Sequence, residues 1–303
     1  MSDSITRDPA IKRDAKAWRD AAGANYTEAL RLIEDPLHQG ILGGRVVVRD
    51  LLRTLDEHPI IGSEHASTTF GRNGLSADEP MSEDLSTGRL RETLLAVEFL
   101  RMFTPVTEAD LQVERNWTGS YGLKHAAEEF LGGTVHLYVS NGSLIWAAAL
   151  LGLPMRTNDI DPTSKNVEIA LLHQEVAFVR ADSTNRLEKR QGKHYMPPGY
   201  KRLKAAMKLA SKGESITEAL NIPIRARGDW SEFHLWLADQ VDRDGFEGRF
   251  ASDYLAGVES SDHRPAASGK DLRTILRDVR IDSNFLDAAK ALIAEHDRLS
   301  STR

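Results

Sequence analysis

The residues best suited to chemistry in this chain are cations interleaved with tyrosines. Arg186, Lys189, Arg190, Lys193, Lys201, Arg202, Lys204 and Lys208 surround Tyr195 and Tyr200. Phosphates need cations and unpaired bases can stack on phenol rings, so this segment is the first candidate for contact with DNA or RNA. Lys201, Lys204, Lys208 and Lys212 recur at i, i+3, i+7 and i+11, one stripe along a helix. A stripe of that kind is also what a solvated helix face looks like. The second candidate is Tyr121, Lys124, His125 and Glu128, which follow Ser120 at the start of a helical pattern. Backbone donors at a helix N-terminus favour an anion, so Tyr121, Lys124 and His125 form a possible anion site, and the same stretch is where an enzymatic site would lie.

Other chemistries find little support. The chain has no cysteine, which excludes disulfides, thiolate catalysis and cysteine-ligated metals, and suits a reducing, cytoplasmic setting. His125 and His136 fall in different elements, and His173-Gln-Glu175 lacks the two-histidine spacing of a helical zinc site. No metal and no cofactor are expected. Gly40, Gly43 and Gly44 precede Arg45 without a Walker lysine or a dinucleotide fingerprint. Carboxylates are plentiful, but the sequence singles out no pair for acid–base work.

The elements that must position these residues read as helices. Ile11, Ala15, Trp18 and Ala22 share a face; Asn25 with Glu28 has capping-box spacing ahead of Tyr26, Ala29, Leu30 and Ile33; a third helix is expected from about Arg45 to Glu57. Leu90, Leu94, Val97 and Leu100 form a stripe, and Thr107 with Asp110 marks another start. Thr134 to Val139 alternates and is β-branched, so a short strand is expected there. Asn141-Gly142 is a turn signal, and Ser143 then caps an apolar helix over Leu144 to Leu151. A helix is expected over Asn166 to Val179 and another over Tyr200 to Ser211. The apolar run Leu144 to Met155 is too short for a bilayer, which needs about 20 residues. The polar start, Met1 to Lys16, has no signal-peptide core.

The organisation expected is mainly α: a helical segment over 1–61, a linker or long exposed loop over 62–88, a helical middle domain over 89–185, a basic connector over 186–227 and a helical bundle over 228–303. Charge divides along the same line. From Asp229 to Leu299 there are 15 acidic and 9 basic side chains, which accounts for the whole net charge of −6. The rest is neutral overall and gathers its positive charge in the connector.

Three resemblances add to this. Phe233-His-Leu-Trp236-Leu237-Ala-Asp-Gln240 with Arg243-Asp244, then Gly248-Arg-Phe250-Ala251-Ser-Asp253 and a closing helix holding Phe285 and Ala289, resembles the YozE-type SAM-like domains. That implies a small helical bundle and no particular activity. At Ser260 to Pro265 the chain reads Ser-Ser-Asp-His-Arg-Pro where the family more often has a Phe-Pro pair. Ser4-Ile-Thr-Arg7, a helix, and Gly23 to Arg31 are similar in layout to ribbon-helix-helix DNA-binding modules, although Pro36 cuts the second helix short. Two packed structural helices account for the same pattern. Gly119 to His125 with Tyr138 to Gly142, and the N-terminal segment, resemble uncharacterised proteins of actinobacterial plasmids and mobile elements. Taken together, these features lead one to expect a non-enzymatic accessory protein, with nucleic acid on the basic connector and a protein partner or self-association on the acidic bundle. The alternatives are a protein-interaction or inhibitor protein without nucleic-acid contact, and an enzyme with its site near Tyr121 to Glu128.

Overall fold

The computed structural model describes residues 8–135, 138–157, 164–183, 196–224, 231–260, 263–279 and 281–301. Two compact units emerge. The first holds the described residues up to Val179 together with Pro197–Ile224, and the second includes all described residues from Ser231 onward.

In the first unit, α1 (Pro9–Ala22) and α2 (Tyr26–Glu34) pack together, each begun by a side-chain cap from Asp8 or Asn25. The Asn25 carboxamide accepts from the amide of Thr27. Next come α3 (Val48–Glu57) and α4 (Thr87–Arg101). The one-turn α5 (Glu108–Leu111) carries the reciprocal Thr107–Asp110 cap expected from their spacing. Strand β1 (Trp117–Gly119) runs straight into α6 (Ser120–Val135), and α7 (Asn141–Leu150) follows. Strands β2 (Met155–Thr157) and β3 (Val167–Ala170) complete an antiparallel sheet of order β1-β3-β2, pairing Trp117 with Ala170 and Met155 with Ile169. Last are α8 (His173–Ser183), which belongs to this unit as far as Val179, α9 (Tyr200–Ser211) and the one-turn α10 (Thr217–Leu220).

The core is the pair α4 and α7. Both are buried nearly all round, with Leu90, Leu95, Val97 and Phe99 on one and Leu144, Ile145 and Trp146 on the other. A helix enclosed on every side loses its amphipathic signature. Trp146 keeps its indole N–H satisfied by donating to the Leu51 carbonyl and to Thr54 Oγ1, both at 2.9 Å. Segment 62–88 is irregular, yet Phe70, Leu75 and Met81 are buried, so it is part of this unit's packing and not a free linker. Two other expectations differ. The stretch expected as a strand over Thr134 to Val139 continues α6 as far as Val135, and Asn166 to Val179 splits into β3 and the first part of α8. In the second of these, Val167 to Ala170 finds partners on two other strands, and that tertiary pairing overrides local pattern.

The second unit is α11 (Glu232–Ala238), α12 (Phe246–Ser260), α13 (Gly269–Asp278) and α14 (Ser283–Ser301). Phe233, Leu237, Phe250, Tyr254, Leu272, Ala289 and Leu292 build one apolar core, as a small helical bundle requires. The chain is thus mainly helical, with one small sheet among the described residues. No described helix is long and apolar enough to cross a membrane.

Candidate functional site

A cleft of about 530 Å³ opens where α6 and α7 begin. Four segments far apart in sequence line it: Asn73 from a glycine turn; Tyr121 and Lys124 from α6; Tyr138 and Asn141 at the approach to α7; and Ser164, Lys165 and Asn166 leading into β3.

Each wall has a local cause. Arg89 and Glu92, both buried on α4, anchor the start of α7. The Arg89 guanidinium donates to Glu92 at 2.8 Å, to Ser140 Oγ at 2.8 Å and to Asp84 at 2.6 Å, while the Ser140 amide donates to Glu92. Ser140, not Ser143, caps α7, its hydroxyl accepting from the Ser143 amide, so the helix begins at Asn141 and takes in the expected turn. The glycine turn closes by reciprocal amide bonds between Gly71 and Gly74, at 2.9 and 3.0 Å. It docks through the Gly142 amide, which donates to the Arg72 carbonyl at 2.8 Å, and through the Leu75 amide, which donates to the Lys165 carbonyl at 3.1 Å. Gly74 sits at φ +111°, and a Cβ there would lie 1.9 Å from the Lys165 carbonyl oxygen, so only glycine suits. The β3 wall is tied to α6 by the Val167 amide, which donates to Ser120 Oγ at 3.2 Å.

Lys124 is buried. Its ammonium donates to Glu128 at 3.1 Å and lies 4.9 Å from the Tyr138 ring centre and 5.5 Å from that of Tyr121. Cations over phenol faces are favourable contacts. Arg72 adds a third, 5.6 Å from the Tyr138 centre. The two rings are nonetheless 56% and 53% exposed, unusual for tyrosines set among so much buried structure. Asn141 is 5% exposed and donates from Nδ2 toward the Asn73 and Lys165 carbonyls and Asn166 Oδ1, each at 3.1 Å. Its buried Oδ1 accepts no hydrogen bond from the described residues.

The three residues expected at an anion site lie at or beside this cleft. Tyr121 and Lys124 line the cleft. His125 stands beside it, exposed, with its ring edge-on to Tyr121 at 4.7 Å and Nδ1 2.9 Å from Glu128. Glu128 neutralises Lys124, so among the described residues the cations here with no carboxylate partner are Lys165 and Arg72, both exposed. Tyr138 and Asn141 had no assigned role in the sequence reading, and Asn73, Ser164, Lys165 and Asn166 carried no local signal at all.

The basic connector divides differently. Arg186, Lys189, Arg190, Lys193 and Tyr195 lie outside the described residues, as does the Ser4 to Arg7 ribbon. Tyr200 is buried, edge-on to Phe130 at 5.3 Å and to Phe178 at 5.2 Å, so its ring is core and not a platform for a base. Arg202 donates from Nε to the Ile222 carbonyl at 2.6 Å and from Nη1 to the Ile41 carbonyl at 3.4 Å, which makes it a structural tie. Lys201, Lys204, Lys208 and Lys212 are exposed on α9, with Lys204 donating to the Tyr200 hydroxyl at 2.8 Å. Among the described residues no group of histidines and carboxylates could hold a metal ion.

No protein-family model matches this chain, and neither does any curated protein or solved structure.

Proposed function

We propose that the protein is a non-enzymatic binding protein for single-stranded nucleic acid, an accessory protein of the plasmid or mobile-element kind that its N-terminal and central segments resemble. The decisive contacts lie in the cleft and not in the basic connector. One observation carries this reading: two half-exposed tyrosines share one region with two exposed cations from separate segments, Arg72 and Lys165, while the buried Lys124 is paired with Glu128. Bases stack on such rings, and cations take the phosphates beside them. The volume is that of a small-molecule site, so it suits one unpaired nucleotide and not a duplex. The lysines of α9 add contact that is independent of sequence. The acidic second unit repels phosphate and serves protein docking or self-association.

The test is fluorescence anisotropy with short single-stranded DNA and RNA at low and moderate salt. Replacing Tyr121 and Tyr138 together by alanine is expected to weaken binding about 10- to 100-fold, the worth of one stacked base. Charge reversal at Lys201, Lys204 and Lys208 is expected to flatten the salt dependence and leave the tyrosine effect intact. A folded double-tyrosine variant that binds like the wild type would overturn the proposal, as would a wild type that binds neither strand.

A second reading is catalytic. The His125–Glu128 pair, 2.9 Å apart beside the cleft, has the form of a base held by a carboxylate. On that reading the protein turns over a bound phosphate ester, and His125→Ala abolishes turnover while binding persists.

A further inference from the structure

We infer that the first unit holds a second small-molecule site, separate from the cleft, which takes an organic cation: an amine carried on an apolar body. The inference goes beyond the nucleotide reading and does not depend on it.

The site lies in the irregular segment. From His58 to Pro80 the chain is neither helix nor strand of the sheet. Irregular stretches longer than about 12–15 residues are uncommon inside a compact unit and usually serve a function. The middle of this one is the glycine turn that walls the cleft, and residues on either side of that turn line a different cavity, of about 410 Å³. Main-chain bonds hold the two sides in place. The Ala77 amide donates to the Thr69 carbonyl at 3.0 Å, the Met81 amide to the Phe70 carbonyl at 2.7 Å and the Ser63 amide to the Leu55 carbonyl at 2.8 Å. Ser76, between the glycine turn and Asp78, has φ +49°, alone among the described non-glycine residues in being positive. Backbone of that kind persists where the surroundings impose it, and it clusters at sites that must keep a shape. A ligand therefore meets walls that are already ordered, and the volume falls in the range of small-ligand pockets, about 300–1,000 Å³.

The lining divides by chemistry. Leu55, Ile61, Phe70 and Met81 are buried and apolar, and they make the floor. Ser67, Thr68, Thr69 and Ser82 are partly or fully exposed and bring hydroxyls to the rim. Asp78 is the one charged residue in the lining, and no lysine, arginine or histidine accompanies it there. A phosphate or carboxylate ligand would meet a like charge and no cation. A sugar would suit the hydroxyls but would leave most of the floor's apolar character unused. An ammonium finds a carboxylate and hydroxyl acceptors together, while its hydrocarbon body covers the floor. The cleft has the opposite character, with Lys124 and Lys165 in its lining and no carboxylate. Two cavities in one unit thus sort ligands by the sign of their charge.

The test is an NMR titration of the methionine methyl groups in the full chain at neutral pH. The probes are phenethylamine, phenethyl alcohol and hydrocinnamate, alike in their ring and different in charge, with methylamine and glucose beside them. The Met81 methyl signal is expected to move with phenethylamine. The amine is expected to bind about 3- to 10-fold more tightly than the alcohol, and more tightly still than the acid. Methylamine and glucose should both bind more weakly than phenethylamine. Asp78→Asn, at an exposed side chain, is expected to bring the amine down to the affinity of the alcohol, while the double alanine variant of Tyr121 and Tyr138 leaves it unchanged. Equal affinity for the three ring compounds, tighter binding of the acid or of glucose, or no binding at all overturns the inference. So does methylamine binding as well as phenethylamine, since the floor would then play no part. Amine binding that survives Asp78→Asn, or that is lost with the two tyrosines, places the ligand elsewhere and overturns it as well.

Discussion

The two units bury polar side chains to different ends. In the second unit the network is closed. Ser231 Oγ accepts from the His234 amide at 3.0 Å and donates to the Ala266 carbonyl at 2.7 Å. The Tyr254 hydroxyl accepts from the Ala266 amide at 2.7 Å and lies 2.7 Å from Nδ1 of His234. These bonds pin the segment between α12 and α13 to the start of α11. In the first unit the network around Asn141 is equally built, with Arg89, Glu92 and the glycine turn behind it, but it leaves two buried atoms, Arg89 Nε and Asn141 Oδ1, without a hydrogen-bond partner among the described residues. A closed network specifies a fold; an open one beside a cavity specifies a fold and leaves a place for something else. The difference is one of hydrogen bonds, not of composition, which is why charge alone did not find it.

The most disruptive way to break this comparison is Gly74→Val. The added Cβ meets the Lys165 carbonyl oxygen at 1.9 Å and Asn141 Nδ2 at 2.7 Å, and the φ of +111° strains any branched residue. The turn then cannot stay docked on α7 and on the β3 approach. A loss of about 4 kcal/mol is expected in urea unfolding, near the upper end for single substitutions. Strand binding should fall at least about tenfold with it, since the cleft loses a wall. Wild-type stability in this variant would mean that the turn does not hold the cleft.

Tyr254→Phe tests the other side. It removes one hydroxyl and leaves the Ala266 amide and His234 Nδ1 without that partner, at a cost of about 2–3 kcal/mol. Nucleic-acid affinity should not change. If Tyr254→Phe lowered affinity as far as the loss of Tyr121 and Tyr138 does, the division of labour between a structural and a ligand-directed network would be wrong.

How much of this the sequence made legible follows the same division. The second unit was readable because its helices are amphipathic. Leu272, Ile275, Leu276 and Val279 share a face by periodicity, and so do Phe285, Ala289, Leu292, Ile293, His296 and Leu299. Of these, Leu272, Ile275, Leu276, Ala289, Leu292 and Ile293 are core, while Val279 and Leu299, at the helix ends, are exposed. In the first unit α1, α2 and α3 were visible through caps and periodicity, whereas α4 and α7 are enclosed and their boundaries are set by partners. Ser140 caps α7 with Arg89 and Glu92 behind it, and Arg89 and Glu92 lie on another helix. The sheet was missed because β1 and β2 are only three residues long and each pairs with β3, a strand separated from both in sequence. Of the cleft, Tyr121 and Lys124 could be named because they are neighbours on one helix. Asn73, Asn141 and Lys165 meet only in three dimensions. Tyr200 was misread as a stacking platform because nothing local reveals that Phe130 and Phe178 enclose it.

The smallest effect expected concerns acid, and it sharpens the contrast from the closed side. Burial pushes the His234 imidazole below its ordinary value of 6.5, and the neighbouring His263 adds to this. Nδ1 of the ring shares a hydrogen bond of 2.7 Å with the Tyr254 hydroxyl. Below pH 6.5 the unfolded chain therefore takes up this proton more readily than the folded one. Stability should fall as the pH drops through that value and level off once the folded-state value is passed. Proton NMR of the imidazole is expected to show a midpoint below 6.5 for His234 in the folded protein. A wild-type midpoint at or above 6.5 would show that the ring tolerates a second proton where it stands, and the network drawn as closed would have to contain an acceptor for it.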